Sequence, residues 1–146
     1  GWYIRTFQSE FTANYSFIDD NSSKRFVTTS IYYVLSSGEF SAFHKIKQYE
    51  TWHFYCGSPI RLYWFDVDGT LQTVILGIDH HNGQIPQFTF NPDTYFAAEP
   101  IEKDTFSFAG CTVCPGFDYA DFHLANRKEM INKFPMYKDL IIKLTR

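Results

Sequence analysis

The strongest constraint on this chain is a rhythm of short apolar runs broken at close intervals by turn residues. The runs "GWYIRTFQS", "RFVTTSIYYVL", "EFSAFHKI", "ETWHFYCG", "IRLYWFDV", "LQTVILGI", "QFTFN", "TYFAAE" and "TFSFAGCTV" follow one another, with "SSG", "GSP", "VDG", "HHNGQ" and "NPD" between them. β-Branched and aromatic residues suit a pleated, half-buried surface, and Gly, Pro, Asn and Asp suit the turns. Parallel strands need long, usually helical, crossovers, for which these gaps leave no room. The chain therefore reads as an antiparallel sandwich or barrel. Only its last third looks helical. "YADFHLANRKEMINKF" sets Phe122, Ala125, Met130 and Phe134 near one side and stops at Pro135, and "MYKDLIIKL" reads as a second short helix. Asp118 and Asp121 are expected to cap the first helix, Asp121 near its start. The plan is one domain, with a β-barrel over about 1–116 and a helical segment over about 119–146.

A chain of 146 residues can bury a sizeable core. Its sixteen Phe and ten Tyr suit strands that pack on both faces, or a surface that dimerises. The net charge of -3 gives no electrostatic invitation to nucleic acid or an anionic membrane. No apolar run is long enough to span a bilayer, and the start lacks the apolar core of a signal peptide. Three cysteines are an odd count for a disulfide framework, so a reducing, cytoplasmic setting is expected. The chain opens at Gly1 already inside a strand-like run, and an upstream piece is expected.

"DVDGT", Asp66 to Thr70, raises a phosphatase question, because haloacid-dehalogenase-type phosphatases carry such a loop after a strand. Those enzymes need a parallel sheet with helices between strands. Here Asp68-Gly69 lies between two apolar runs, a hairpin signal, and the phosphatase reading is rejected.

The stretch with most chemistry is "GEFSAFHKIKQYETWHFYCG", Gly38 to Gly57. Alternation sets Phe40, Ala42, His44 and Ile46 on one apolar face, so His44 points inward. After a turn at Lys47–Tyr49, Glu50, Trp52, Phe54 and Cys56 share a face, and a hairpin would bring Glu50 beside His44. A carboxylate beside an imidazole can fix its tautomer and tune its basicity. The plainer reading of the pair is a satisfied polar contact in a core, with Trp52, Phe54 and Phe96 as packing. Cys111-Thr112-Val113-Cys114 ends a strand rather than starting a helix, which argues against a reactive thiolate. His80-His81-Asn82-Gly83 reads as a solvated turn.

The spacing of Gly38, His44, Glu50 and Gly57 resembles the first motif of the cupin superfamily, with Ile46 at its second His position. "QFTFNPDTYFAAEP" resembles a degenerate second motif: Pro92 matches, Thr94 replaces Gly, and Ala97 stands where a third His belongs. "TTSIYYVLSSGEFSAFHKIKQYETWHFYCG", "YFAAEP" and "GCTVCPGFDYADFHLA" resemble a small, largely uncharacterised group, cupin family 5. "GWYIRTFQS" resembles its early Gly-Gly-Tyr-Phe-Arg-Glu-Thr-Tyr segment, departing at Ile4 and Arg5.

The resemblance implies a double-stranded β-helix, an all-β jelly roll similar to the dTDP-sugar epimerases and usually a homodimer. It implies a small-molecule pocket and, if an enzyme, an isomerase or epimerase of a sugar or keto acid. His44 would be the base and Tyr95 the acid, with Tyr55 and Tyr63 as other candidate acids. Glu50 would assist, and Trp52, Phe54, Gln87 and Glu99 would bind the ligand. No cofactor is expected. The metal alternative uses His44 and Glu50 with Glu99 or His53, since Ile46 and Ala97 offer no donor. The other alternative is a non-catalytic binder. No basic cluster lies near the motif, which argues against a nucleotide sugar.

Overall fold

A computed structural model describes residues 1–16 and 23–146. The described residues form twelve strands: β1 (Trp2–Gln8), β2 (Thr12–Asn14), β3 (Lys24–Phe26), β4 (Thr29–Ser36), β5 (Ser41–Lys45), β6 (Tyr49–Gly57), β7 (Ile60–Phe65), β8 (Leu71–Leu76), β9 (Gln87–Phe90), β10 (Phe96–Pro100), β11 (Phe106–Cys114) and β12 (His123–Leu124). Two helices follow, α1 (Arg127–Lys133) and α2 (Lys138–Lys143). The strands form two five-stranded sheets, ordered β1-β4-β11-β6-β9 and β12-β5-β10-β7-β8, and β2 pairs with β3. Every pairing between these strands is antiparallel, and Leu76 makes an isolated parallel bridge with Ile85. The all-β jelly-roll reading is therefore correct.

Trp52, Phe90, Ala109 and Cys111 of the first sheet meet Ile60, Leu62, Leu76, Phe96 and Ala98 of the second in one core. A second core lies on the other face of the second sheet. There Phe43, Tyr63, Phe65 and Ala97 pack against Ala125, Met130, Phe134, Ile141 and Leu144. Phe65 and Phe134 stack with centroids 3.9 Å apart. The second sheet is thus buried on both faces, and residues 96–98 of β10 are all buried.

"DVDGT" is the β7–β8 hairpin turn. Asp66 Oδ1 accepts from Asp68 N and Thr70 N, and Gly69 takes φ 77°, a conformation open to glycine. The helix expected from Tyr119 starts only at Arg127. Asn126 caps it, accepting from Lys128 N and Glu129 N, and the preceding residues are drawn into β12 beside β5. The regular spacing of Phe122 and Ala125 therefore belongs to extended chain. Asp118 caps a 3-10 turn, Tyr119–Asp121, and Asp121 does not cap a helix. It is buried and takes two hydrogen bonds from Arg25, Nε to Oδ2 at 2.8 Å and a terminal N–H to Oδ1 at 2.9 Å. Gln48 Nε2 adds a third at 2.5 Å.

Burial raises the Asp121 pKa, but the Arg25 and Gln48 hydrogen bonds prevail and hold it below the usual carboxylate range. The stabilisation is complete above about pH 4, the ordinary Asp value, and fades as pH falls further. Removing one member of a buried ion pair strands the other charge, at a cost of about 3–5 kcal/mol. Arg25→Ala and Asp121→Ala should each lower unfolding free energy by that order in urea titrations at pH 7. A loss below 1 kcal/mol would mean that the pair contributes little.

Candidate functional site

β5 and β6 carry His44 and Glu50 into different sheets, so the expected hairpin between them does not form. The two side chains instead line a cavity of about 570 Å³ between the sheets. Its floor is buried: His44 8% exposed, Glu50 7%, Trp52 1% and Cys111 3%. Ile31 and Tyr33 of β4 form a wall, and Phe117 and Phe122 close another side. Tyr3 and Arg5 of β1 stand at the rim with Tyr119 and Arg146. Antiparallel register explains β1, because Tyr3 pairs with Tyr33 and Arg5 with Ile31, and directly opposed residues share a face. The Tyr3 and Tyr119 hydroxyls hydrogen-bond across the rim.

His44 Nδ1 lies 2.7 Å from the Ala42 carbonyl oxygen. A carbonyl only accepts, so the proton sits on Nδ1 and the Nε2 lone pair is left for the cavity. The ring is held between Phe96, at a centroid distance of 4.2 Å, and Phe122, at 5.2 Å. Burial lowers its pKa to about 4, against the raising effect of the Ala42 bond. Glu50 accepts from Trp52 Nε1 at 2.8 Å, and Cys111 supplies a further hydrogen bond. Burial still dominates and raises Glu50 to about 7. Burial, with the nearby Glu50, pushes the Cys111 thiol well above its ordinary value. Near neutrality the floor therefore holds a neutral imidazole and a carboxyl group close to half-protonation. Two groups displaced in opposite directions are the arrangement that acid–base chemistry uses.

His44, Glu50 and Trp52 are the predicted site residues that the cavity brings together. Tyr95, Ala97 and Glu99 face the helical core, because Phe96 and Ala98 are the barrel-facing residues of β10. Tyr95 lies under Lys45 Nζ, 5.3 Å from its ring centroid. Glu99 accepts from the Tyr63 hydroxyl at 2.6 Å and from Lys143 Nζ at 2.8 Å. Gln87 is exposed and pairs with His53 on the outer face of the first sheet, where His53 Nε2 meets Thr112 Oγ1 at 3.2 Å. Phe54 packs against the barrel core away from the cavity, and Tyr55 lies outside against Tyr32 and Phe108. Sequence reasoning missed Tyr33, Cys111, Tyr3, Arg5 and Arg146. Alternation through Ile31, Tyr33 and Leu35 could have found Tyr33. Burial raises the Tyr33 hydroxyl to about 12, against a lowering hydrogen bond with Ser41.

A metal centre of the cupin kind does not fit these residues. His44 and Glu50 are two donors, Cys111 beside them is held as a thiol hydrogen-bonded to Glu50, Phe96 occupies the place opposite His44 on β10, and Glu99 and His53 point elsewhere. Among the described residues no three His, Cys, Asp or Glu side chains gather in a metal-ligating group.

Two antiparallel sheets closed around a cavity floored by His44 and Glu50 define a cupin-type barrel. Residues 1–125 match the model of the family described as Cupin superfamily (DUF985), and the chain belongs to that family. The crystal structure of protein SO0799 from Shewanella oneidensis is similar at TM-score 0.88 and 33% identity, over 100% of this chain and 87% of that one. A hypothetical protein from Leishmania major is similar at TM-score 0.87 and 22% identity, over 99% and 89% of the two chains. Oxalate decarboxylase from Bacillus subtilis shares the fold at TM-score 0.56 and 15% identity, over 80% of this chain and 30% of that one. No curated protein matches the sequence.

The paired displacements give opposite pH signatures. The folded state keeps Glu50 protonated to a higher pH than the unfolded chain, so this group costs stability as pH rises from 4.5 to about 7. It keeps His44 deprotonated to a lower pH, so that group costs stability as pH falls from 6.5 to about 4. Relative to the parent, Glu50→Gln should gain stability with rising pH across the first window, at up to about 1.4 kcal/mol per pH unit. His44→Asn should lose stability relative to the parent with rising pH across the second. Urea unfolding at a series of pH values reads both slopes, and parallel curves for parent and variants would refute the assignment.

Proposed function

We propose that this protein binds a small organic molecule in the barrel cavity and isomerises or epimerises it by proton transfer, without a metal. The observation that carries this reading is that one cavity is lined by both a neutral imidazole, Nε2 free, and a buried carboxyl group near half-protonation. His44 Nε2 takes a proton from the carbon beside a carbonyl. Glu50, in its acid form, donates to the carbonyl oxygen as negative charge develops there. Returning the proton to the opposite face of the same carbon gives an epimer; in an α-hydroxy carbonyl, returning it to the former carbonyl carbon while the neighbouring enediol hydroxyl gives its proton to the Glu50 carboxylate gives an isomer. Glu50 thus takes the acid role assigned from sequence to Tyr95, which lies behind the second sheet. The cavity volume lies within the range of small-molecule sites.

The proposal includes a homodimer and a cytoplasmic setting. β1 is an edge strand, and its Trp2 and Ile4 are 76% and 65% exposed beside Tyr32 of β4. Such an apolar edge is ordinarily covered. The three cysteines are all free, which suits a reducing compartment. No helix among the described residues is long and apolar enough to cross a membrane. Sedimentation of the parent should give a dimer, and Trp2→Ser with Ile4→Ser a monomer; a monomeric parent would end the dimer reading.

Solvent-proton exchange tests the chemistry. Phenylpyruvate and fructose, incubated in deuterated buffer with protein treated with a chelator, should acquire deuterium beside the carbonyl in at least one case. His44→Ala and Glu50→Gln should each reduce the rate by about 100-fold, the scale of a lost general acid or base, with circular dichroism unchanged. Binding without exchange in the parent would replace the enzyme reading with that of a non-catalytic binder.

A further inference from the structure

We propose that the cavity takes a carboxylate anion, with Arg5 and Arg146 as its anchors at the rim and the apolar body of the ligand against Tyr33, Trp52 and Phe122. This rests on the reading of the cavity as a ligand site and names the class of ligand. The two arginines come from opposite ends of the chain, and neither lies near the motif that carries His44. The fold brings both to one opening. Among the described residues no carboxylate forms an ion pair with either. Arg5 gives one terminal N–H to Gln8 Oε1 at 2.7 Å, which leaves most of its donors free. Arg146 lies over the Phe40 ring, 5.7 Å from its centroid, and its charge reaches Tyr33 inside the cavity. An aromatic face under a guanidinium holds its plane while the N–H edge stays free.

Among the described residues, Glu50 is the only acidic side chain that lines the cavity. Burial favours its neutral form, and the His44 imidazole is neutral as well. The charge facing the opening is therefore positive, while the floor carries only the partly ionised Glu50 carboxyl. A fully neutral ligand would leave both guanidinium groups unmatched. A carboxylate is planar and meets a guanidinium edge through two parallel hydrogen bonds, which favours it over a tetrahedral anion. The walls between rim and floor are aromatic and aliphatic, so the remainder of the ligand is apolar or carries few polar groups.

Phenylacetate and phenylacetamide separate the charge from the shape, and neither requires turnover. Calorimetric titration of the full chain should show phenylacetate binding at least about tenfold tighter than the amide, the scale of one charge-assisted contact. Arg5→Gln and Arg146→Gln should each weaken phenylacetate by about tenfold and leave the amide unchanged. Equal binding of acid and amide, or arginine variants with parental affinity, would overturn the assignment. So would inorganic phosphate displacing phenylacetate at equal concentration, which would point to a tetrahedral anion. Arginine-dependent binding with no solvent exchange on any keto acid would uphold this inference while refuting the proposed reaction. Exchange that depends on His44 but not on Arg5 or Arg146 would do the reverse.

Discussion

The double burial of the second sheet is the constraint from which the rest of the structure follows. One face of β5, β10 and β7 meets the first sheet, and the other meets α1, α2 and the chain around Ala125. A sheet packed on both sides has no solvent face on which to place polar groups at low cost. The polar side chains that remain must be paired or open onto a cavity. His44 does both, through the Ala42 carbonyl and the free Nε2. Glu99 is paired with Tyr63 and Lys143 at the margin of the helical layer. Phe96 and Phe122 flank the imidazole on the cavity side, and burial there keeps it neutral.

The same burial sets the character of the floor. His44 and Glu50 occupy different sheets, and no hydrogen bond joins them. Each is instead tuned by its own surroundings. A backbone carbonyl orients the imidazole, while the Trp52 indole and the Cys111 thiol hold the carboxyl group. Desolvation then moves both towards neutrality, which for a base and an acid means opposite changes in pKa. A directly bonded pair would have favoured the charged imidazolium–carboxylate form. Separation across the cavity keeps a proton acceptor and a proton donor available at the same pH.

Much of the fold could be read from the chain. The turn chemistry and short apolar runs pointed to antiparallel sheets, and the spacing of Gly38, His44, Glu50 and Gly57 placed the two floor groups. The errors have two physical sources. On β10, residues 96–98 are all buried, so alternation carries no information about which side faces the barrel. Tyr95 and Glu99 were therefore assigned to the wrong layer. Gln87 and Phe54 failed for another reason, since strand order between sheets is a long-range property that no local pattern encodes. The rim arginines, Arg5 and Arg146, are far apart in the sequence, and only the closed fold brings them to one opening.

The buried carboxylate of Asp121 has a consequence beyond its stability. Its partner Arg25 belongs to β3, its partner Gln48 to the connection between His44 and Glu50, and Asp121 itself to the segment that carries Phe117, Tyr119 and Phe122. One side chain thus fastens together the strand crossover that presents the floor and the chain that roofs it. Freedom that a ligand would otherwise have to remove has already been removed on folding. The cavity is pre-organised at its closed end, and under the proposed function adjustment to different guests would fall to the exposed rim formed by β1. On that reading the vessel would discriminate among ligands by shape at its base and by charge at its lip.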